Sequence, residues 1–368
     1  MITKLRKILR EDTILCLAIA LACISSIFHV PQLDYIDFDV LCVLLSLMLV
    51  VAGLKSINFL DYLAIKLVNK CVSSRQVAVA LVGITYLSSM FVTNDVALLT
   101  FVPLALVIGQ TLKMDIERII ILQTLAANLG SMLTPPGNPQ NLFLYAHYNY
   151  TPDNFFSVMA VPCVLSLGYI GFLLLCKPAV PLRLELPAIK RPKQGRMLLL
   201  LFLLILNIAA VLHCLDKGAA LVITGTVIFF LERRLFKQVD YSLLLTFAGF
   251  FIFIGNIAQS SIAAYLKQSL LGTPAGTYLA GLLASQFISN VPAAMLLAGL
   301  TQEADALLLG VNIGGLGTMI ASMASVISYK LFAAQHPAEA GKYIRTFLYY
   351  NFSGLLFIGI AVYFLLLS

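Results

Sequence analysis

The chain has 368 residues, of which 60% are hydrophobic and only 11% are charged. This composition excludes a soluble globular domain, which needs far more charge to cover its surface, and it predicts a polytopic integral membrane protein. The formal net charge of +7 therefore indicates basic residues at the cytoplasmic face of a membrane rather than a nucleic-acid partner.

Apolar segments of membrane-spanning length recur along the whole chain. We predict spans at 13–30, 38–54, 155–176, 196–213, 217–232, 241–257 and 344–367. Between them lie two pairs of apolar arms with a polar tip, 76–112 and 275–302, and two apolar segments interrupted by glycine and polar residues, 118–150 and 304–332. Stretches of mixed polarity at 56–72 and 258–270 precede the paired arms and are typical of amphipathic helices at a membrane surface.

The order of these elements repeats, and so do short sequences within them. FVTNDVALL at 91–99 aligns with FISNVPAAM at 287–295, and AANLGSMLT at 126–134 aligns with GVNIGGLGT at 310–318. We predict a first repeat over 1–176, a cytoplasmic linker and connecting span over 177–216, and a second repeat over 217–368. Each repeat has an even number of crossings, so the connecting span makes the second copy enter from the opposite side. The predicted fold is all-α and polytopic, with two inverted-topology repeats that each hold a re-entrant helical hairpin and a broken transmembrane helix.

The basic residues give the orientation. With the N-terminus in the cytoplasm, all of the 24 Lys and Arg except Lys217 and Lys267 fall on predicted cytoplasmic segments. Cytoplasmic loops carry such an excess of positive charge. We therefore expect a plasma (inner) membrane protein with a cytoplasmic N-terminus and a C-terminus outside.

The two broken helices contain LTPPGNPQN at 133–141 and GGLGT at 314–318. The segments beside the first break, 118–130 and 139–150, are too short to cross a ~30 Å hydrocarbon core alone, so together they cross once with an unwound middle. The same holds for 304–313 and 319–332 beside the second break. At such a break, one half-helix ends with free carbonyls that suit a cation. The next half begins with free N–H groups that suit an anion.

The tips of the paired arms are Thr93-Asn94-Asp95 and Ser289-Asn290-Val291. The arm at 275–288 would be only ~21 Å long as a helix, which favours a re-entrant hairpin; two complete crossings are the alternative. Asp95 is the one carboxylate that the predicted spans place well inside the membrane, where such groups are costly and usually functional. It could bind Na⁺, carry a proton, or cap the second arm of its hairpin.

The motifs VTNDVALLTFVPL, NLGSMLTPPGNPQNL, SNVPAAMLL and NIGGLGTMIAS resemble those of the ion transporter superfamily. That superfamily includes divalent-anion:sodium symporters, citrate transporters, arsenite permeases and some sodium–proton antiporters. The resemblance covers nearly the whole chain. It implies a scaffold, a mobile transport domain that holds both hairpins and both broken helices, an elevator-type movement and a homodimer.

In the carboxylate-transporting branch, each hairpin tip carries Ser-Asn-Thr, which contacts substrate and sodium. The resemblance therefore implies that Na⁺ could bind at the retained Asn94 and Asn290. The third tip positions depart from this pattern, to Asp95 and Val291. An acidic residue after the first asparagine looks more like the arsenite-permease and antiporter branches.

The tips and breaks together form the predicted site. The residues predicted to bind substrate are Thr93, Asn94, Asn138, Ser289, Asn290 and Thr318. The residues predicted to hold the coupling ion are Asp95, Asn94, Gly130, Thr134, Gly137, Asn290, Gly314 and Gly317. We expect no Lys or Arg at this site, so helix N-termini, amides and bound cations would meet the charge of an anion.

These features predict an ion-coupled secondary active transporter of a small anion, either a carboxylate or an inorganic oxyanion. Na⁺ or H⁺ would be the coupling ion, and no other cofactor is expected. Arsenite or metalloid efflux and sodium–proton antiport are the alternatives within the same superfamily. An enzyme is not expected, because an aspartyl intramembrane protease needs two membrane carboxylates and a metalloprotease needs HExxH, which the sequence lacks. The seven cysteines are scattered without a CxxC pair, so they predict neither disulfides nor a metal site.

Overall fold

The computed structural model describes residues 13–112, 114–182, 190–257 and 271–367. Within these ranges, the regular structure is helical, apart from one isolated β-bridge between Ser73 and Pro181. The α-helices are α1 (Thr13–Phe28), α2 (Phe38–Ser56), α3 (Phe59–Val68), α4 (Ser74–Val92), α5 (Asn94–Leu112), α6 (Glu117–Ser131), α7 (Pro139–His147), α8 (Pro152–Leu175), α9 (Gln194–Val211), α10 (Lys217–Glu232), α11 (Tyr241–Ile257), α12 (Pro274–Ile288), α13 (Asn290–Ala298), α14 (Ala304–Ile313), α15 (Met323–Gln335) and α16 (Ala340–Val362).

Every predicted span is a helix. In the described part of the chain, α2, α4, α5, α8, α9 and the segment Pro337–Leu367 are each long and apolar enough to cross a membrane. The segments Lys217–Gln238 and Tyr241–Ile257 pass the same test together and meet at a bend of 75°. The protein is therefore an all-helical polytopic membrane protein.

The two broken helices, α6–α7 and α14–α15, run in opposite directions. Soon after α7 ends, the Tyr150 hydroxyl donates a hydrogen bond of 2.6 Å to Asp305 at the start of α14. At the other end, Gln335 closes α15 and accepts a hydrogen bond of 3.1 Å from Gln110, which lies just before α6 begins. The end of each broken helix thus lies beside the start of the other, as inverted-topology repeats require.

The two faces of the molecule carry opposite charge. We call the face with Lys55, Lys177 and Lys342 the basic face, and the face with Asp39, Asp153 and Asp305 the acidic face. The open end of the first hairpin lies at the basic face, where Arg75 Nε donates to the Lys177 carbonyl at 2.7 Å. The open end of the second hairpin lies at the acidic face, where the Tyr148 hydroxyl donates to the Thr301 carbonyl at 3.2 Å.

Helices of one repeat pack against helices of the other repeat in a reciprocal pattern. α1 packs along α11, and α2 packs along α10. Nearer the centre, α5 packs on α15 and α13 packs on α7. Within each repeat, the first hairpin arm packs along the first half of the broken helix, α4 on α6 and α12 on α14. This reciprocal pattern relates the two halves by an approximate two-fold axis.

Both hairpins turn at the predicted tips. Thr93 separates α4 from α5 with φ 72° and ψ 153°, and Ser289 separates α12 from α13 with φ 74° and ψ 152°. Positive φ is uncommon for a residue other than glycine and is maintained by the surrounding contacts. Each tip ends beside a break, through contacts of Asn94 with Asn128 and of Ser289 with Ala321. Each hairpin therefore turns back beside a break, as the prediction of re-entrant hairpins requires.

The breaks lie where the sequence predicts them, with one shift. In the first, α6 ends at Ser131, a 3₁₀ turn covers Pro135–Gly137, and α7 begins at Pro139. In the second, the predicted restart at 319 is wrong, because Met319–Ala321 forms a 3₁₀ turn and Ser322 is extended, so that α15 begins at Met323. The stretch 56–72 contains the short helix α3. The stretch 258–270 lies outside the described residues.

Candidate functional site

Four helix N-termini converge on one small cavity between the hairpin tips. The helices are α5 and α13 of the hairpins and α7 and α15 of the broken helices. The cavity, which we call the polar chamber, has a volume of about 160 Å³. Its polar lining consists of Asn94, Asp95, Gln140, Asp240, Thr246, Asn290 and Ser322. Free N–H groups and the positive ends of helix dipoles at such termini attract negative charge.

A larger cavity of about 430 Å³ adjoins the polar chamber and extends to the basic face; we call it the vestibule. One wall is apolar and belongs to α2, with Leu44, Leu47 and Val51 among its residues. The opposite wall belongs to the first tip and the first break, and it includes Thr93 and Asn138. The two cavities share lining residues on α5, α7, α11 and α15, so the vestibule provides a route from the basic face toward the tips.

The two tips differ in how their asparagines are held. Asn94 Nδ2 donates to Asn128 Oδ1 at 3.2 Å, and Asn94 Oδ1 accepts from the Asp95 N–H at 3.0 Å. Asn290 is 4% exposed, and its side chain has no hydrogen-bond partner within the described ranges. The Asp95 carboxylate has a buried Oδ1 that also lacks a partner there. The chamber therefore presents amide and carboxylate groups that are free to bind a ligand.

Buried asparagines at aligned positions connect the two breaks. Asn128 and Asn312 are 5% and 3% exposed. Asn128 Oδ1 accepts a hydrogen bond of 3.0 Å from Ser322, which precedes α15 of the other repeat. Asn312 Oδ1 accepts one of 3.3 Å from Asn138, which precedes α7 of the other repeat. Neither residue was predicted as part of the site, although the alignment of 126–134 with 310–318 pairs them and carried the signal.

Thr134 and Thr318 fasten each hairpin to its own break. The Thr134 hydroxyl donates to the Met90 carbonyl. The Thr318 hydroxyl donates to the Gln286 carbonyl at 2.9 Å. Met90 and Gln286 hold the same position in the aligned hairpins, just before the aligned nonapeptides. Both hydroxyls are thus engaged by backbone rather than directed into the chamber.

Gly130 and Gly314 allow the hairpins to lie close against the broken helices. A Cβ atom built on Gly130 would lie 2.7 Å from Ser89 Oγ, and one on Gly314 would lie 2.8 Å from Ser285 Oγ. Both distances are too short for a carbon–oxygen contact, so a larger residue would force a shift in the packing. Ser89 and Ser285 are aligned like the glycines, which makes this contact symmetric.

The structure brings some of the predicted site residues to the cavities and not others. Those that line a cavity are Thr93, Asn94, Asp95, Asn138 and Asn290. The others lie at the breaks and the second tip without lining either cavity, and they are Gly130, Thr134, Gly137, Gly314, Gly317, Ser289 and Thr318. Their assignment to substrate or ion remains a prediction.

Several polar residues outside the predicted site also line the cavities. Lys55, at the end of α2, lines the vestibule and not the polar chamber. Gln140 lines the polar chamber and lies within the quoted first break. Asp240 lines both cavities. It precedes α11 and could only have been interpreted as a helix N-cap, because its position on the same cavities as Asp95 depends on tertiary packing.

The model of the citrate transporter family matches residues 1–327. The chain belongs to the citrate transporter family. It is 32% identical over 309 residues to an uncharacterized transporter of Methanocaldococcus jannaschii, covering 83% of this chain and 82% of the relative. It is 32% identical over 305 residues to the inner membrane protein YbiR of Escherichia coli, covering 80% of each chain. An uncharacterized transporter of Mycobacterium tuberculosis is 26% identical over 334 residues, covering 79% of this chain and 78% of the relative.

Family membership agrees with the fold and with the resemblance of the tips and breaks to the ion transporter superfamily. This citrate transporter family member is an integral membrane transporter. Its substrate is a small molecule, and its apolar helices lie in a lipid bilayer.

Proposed function

We propose that this transporter is an ion-coupled secondary active transporter of a small anion, a carboxylate or an inorganic oxyanion. The observation that carries the proposal is the convergence of four helix N-termini on the polar chamber. Helix N-termini supply N–H donors and positive potential, so an anion can be held without an arginine clamp. The buried amides of Gln140 and Asn290 add neutral donors to the same space.

A coupling cation, Na⁺ or H⁺, is the second part of the proposal. The helices α4, α6, α12 and α14 end at the tips and breaks, and their last carbonyls carry negative potential that suits a cation. Na⁺ at Asn94 and Asn290 would lie where these ends meet the polar chamber. Asp95 at the first tip would bind Na⁺ or exchange a proton.

Alternating access would occur by an elevator-type movement. The two breaks are tied to each other through Asn128 and Asn312, and each hairpin is tied to its break, so these elements can move as one transport domain. The wall of the vestibule formed by α2 is apolar, with Leu44, Leu47 and Val51, and offers few polar contacts that would resist sliding. A homodimer would anchor the remaining helices as a fixed scaffold.

The basic face would be cytoplasmic, in the plasma (inner) membrane. The N-terminus would then be cytoplasmic and the C-terminus outside, in accord with the positive-inside rule. In that orientation the vestibule would open to the cytoplasm beside Lys55, and the transporter would be inward-open.

Sodium–proton antiport is the second candidate, and the location of Asp95 and Asp240 on the same cavities favours it specifically. A cation exchanger needs carboxylates along the ion path, and intramembrane carboxylates usually mark such paths. Arsenite or metalloid efflux would use the same cavities with a different substrate.

The test is ligand-dependent thermal stabilisation of the purified protein with carboxylates, sulfate, phosphate and arsenite, each in Na⁺ and in Na⁺-free buffer at two pH values. A ligand that binds the folded state raises its unfolding temperature. We expect one anion class to stabilise the protein only when Na⁺ is present. Stabilisation by Na⁺ or pH alone, unchanged by every anion and lost in Asp95→Asn, would favour the antiporter and overturn the anion site.

A further inference from the structure

Asp240 gives the site a second carboxylate from a different part of the fold. Asp95 lies at the start of α5, in the first hairpin. Asp240 directly precedes α11, which packs along α1. Both residues line the polar chamber and the vestibule. If the hairpins belong to a moving domain, one carboxylate moves and the other stays fixed.

Two buried amides line the same chamber as these carboxylates. Gln140 is 2% exposed and Asn290 is 4% exposed, and both line the polar chamber with Asp95 and Asp240. Neither side chain has a hydrogen bond within the part of the chain that the structure describes. A buried polar group without a partner is costly unless a ligand or water satisfies it. This observation is independent of the acidic pair and points to an occupant of the chamber.

The chemistry of the pair selects a cation. Two carboxylates that share one cavity repel each other, and a positive ion between them removes that repulsion. Carboxylate and amide oxygens are ligands of hard cations such as Na⁺. The described residues contain no group of three or more His, Cys, Asp or Glu that could hold a metal ion, which favours a monovalent over a transition-metal or all-carboxylate divalent site. Lys55 lines the vestibule and is absent from the lining of the polar chamber, so it does not occupy this position.

We propose that Asp95, Asp240 and the side-chain oxygen of Gln140 form a sodium site that bridges the first hairpin and the start of α11. Because its ligands come from two parts of the fold, the ion binds when the vestibule is arranged as in this structure and is released when the hairpin moves away from Asp240. Occupancy thereby stabilises the state that is open toward the basic face. The inference rests on the proposed function in treating this ion as coupled to transport and the first hairpin as part of the moving domain.

Asp37 supplies a matched control for Asp240. Asp240 Oδ1 accepts a hydrogen bond of 3.1 Å from the Leu243 N–H, and Asp37 Oδ1 accepts one of 3.0 Å from the Val40 N–H. Each is a helix N-cap, but Asp37 lines neither the chamber nor the vestibule. Asparagine is also a good N-cap, so Asp240→Asn and Asp37→Asn both keep the cap and remove one charge.

The experiment is a Na⁺ titration of the unfolding temperature of the purified full-length protein, with choline replacing Na⁺ at constant ionic strength. We expect the Na⁺ concentration for half-maximal stabilisation to rise about tenfold in Asp240→Asn and to stay unchanged in Asp37→Asn. If the Na⁺ concentration for half-maximal stabilisation is the same in Asp240→Asn as in the wild type, the proposed site is overturned. An equal shift in both variants would also overturn it, because it would show a general effect of surface charge.

The same measurements separate this inference from the proposed function. If no anion stabilises the protein but the Na⁺ midpoint depends on Asp240, the anion transporter fails and the bridging site stands. If an anion stabilises the protein in Na⁺ but the Na⁺ midpoint does not depend on Asp240, the transporter stands and the bridging site fails.

Discussion

The two hairpin tips share a backbone and differ in chemistry. Thr93 and Ser289 have nearly the same φ and ψ, and each is followed by a buried asparagine. The next residue is Asp95 at the first tip and Val291 at the second, and both line the polar chamber. The two repeats thus share their turns and capping positions, whereas the first tip carries a charge that the second lacks.

The tips also differ in their support. Asn94 is held by Asn128, whereas Asn290 has no hydrogen-bond partner in the described ranges. The first hairpin has two arms of 19 residues, and the second has arms of 15 and 9. The symmetric features position two tips around one chamber, and the asymmetric ones make the two sides of that chamber chemically distinct. Ion coupling is therefore expected to depend more on the first tip.

The largest expected effect is that of Asp95→Asn compared with Val291→Ala. Asp95→Asn removes a charged ligand, so Na⁺-dependent uptake of the transported anion into proteoliposomes should fall by roughly 10- to 100-fold. Val291→Ala removes only apolar contact, and uptake should stay within about twofold of wild type, because such a change costs little binding energy. Asp153→Asn, on the acidic face, serves as a charge control. Equal losses of uptake in Asp95→Asn and Val291→Ala would show that the two tips are functionally equivalent.

The next effect concerns a feature that both repeats share. Gly130→Ala and Gly314→Ala should each lower the stability of the folded protein by about 1–3 kcal/mol, because the new Cβ overpacks against Ser89 or Ser285. Thermal unfolding in detergent measures this as a lower midpoint for both variants. Gly168→Ala on α8 is the control, since its Cβ would meet nothing within 4 Å. A midpoint that falls in only one of the two variants would show that the close approach is not equivalent in the two repeats.

Much of the fold follows from local sequence. Span positions follow from apolar length, and the turns at Thr93 and Ser289 follow from polar tips between apolar arms. Proline and glycine in LTPPGNPQN stop a helix wherever they occur, so the first break is also local. The second break lacks proline, and its helix resumes at Met323 rather than at 319 because the intervening turn is set by contacts with the hairpin.

The candidate site is less local. Asn128 and Asn312 lie within half-helices, and only the repeat alignment distinguishes them from other buried amides. Lys55 and Asp240 lie at helix ends, where charge is ordinary. Their place on the cavities depends on how α2 and α11 pack against the hairpins and on which face the vestibule opens toward. The spacing of residues within one helix cannot predict how that helix packs or toward which face a cavity opens.

The smallest expected effect is the difference in stability between variants that lose a hydrogen bond from each hairpin to its break. Thr134→Val removes the hydroxyl that bonds the Met90 carbonyl, and it should cost about 1 kcal/mol of stability. Thr318→Val removes the matching bond to the Gln286 carbonyl. The Gln286 side chain still accepts from the Thr318 N–H at 2.9 Å and donates to the Gly314 carbonyl at 2.8 Å. The second variant should therefore unfold at a higher temperature than the first.

Serine at either position provides the control, since Thr134→Ser and Thr318→Ser retain the hydroxyl and should stay closer to wild type than the valine variants. A larger loss in Thr318→Val than in Thr134→Val would contradict the view that Gln286 reinforces the second hairpin. The double variant Thr318→Val with Gln286→Leu should then decide the matter. If Gln286 supplies the remaining attachment, the combined loss will exceed that of Thr134→Val, because the second hairpin will have lost every hydrogen bond that its Gln286 side chain and the Thr318 hydroxyl make to the break.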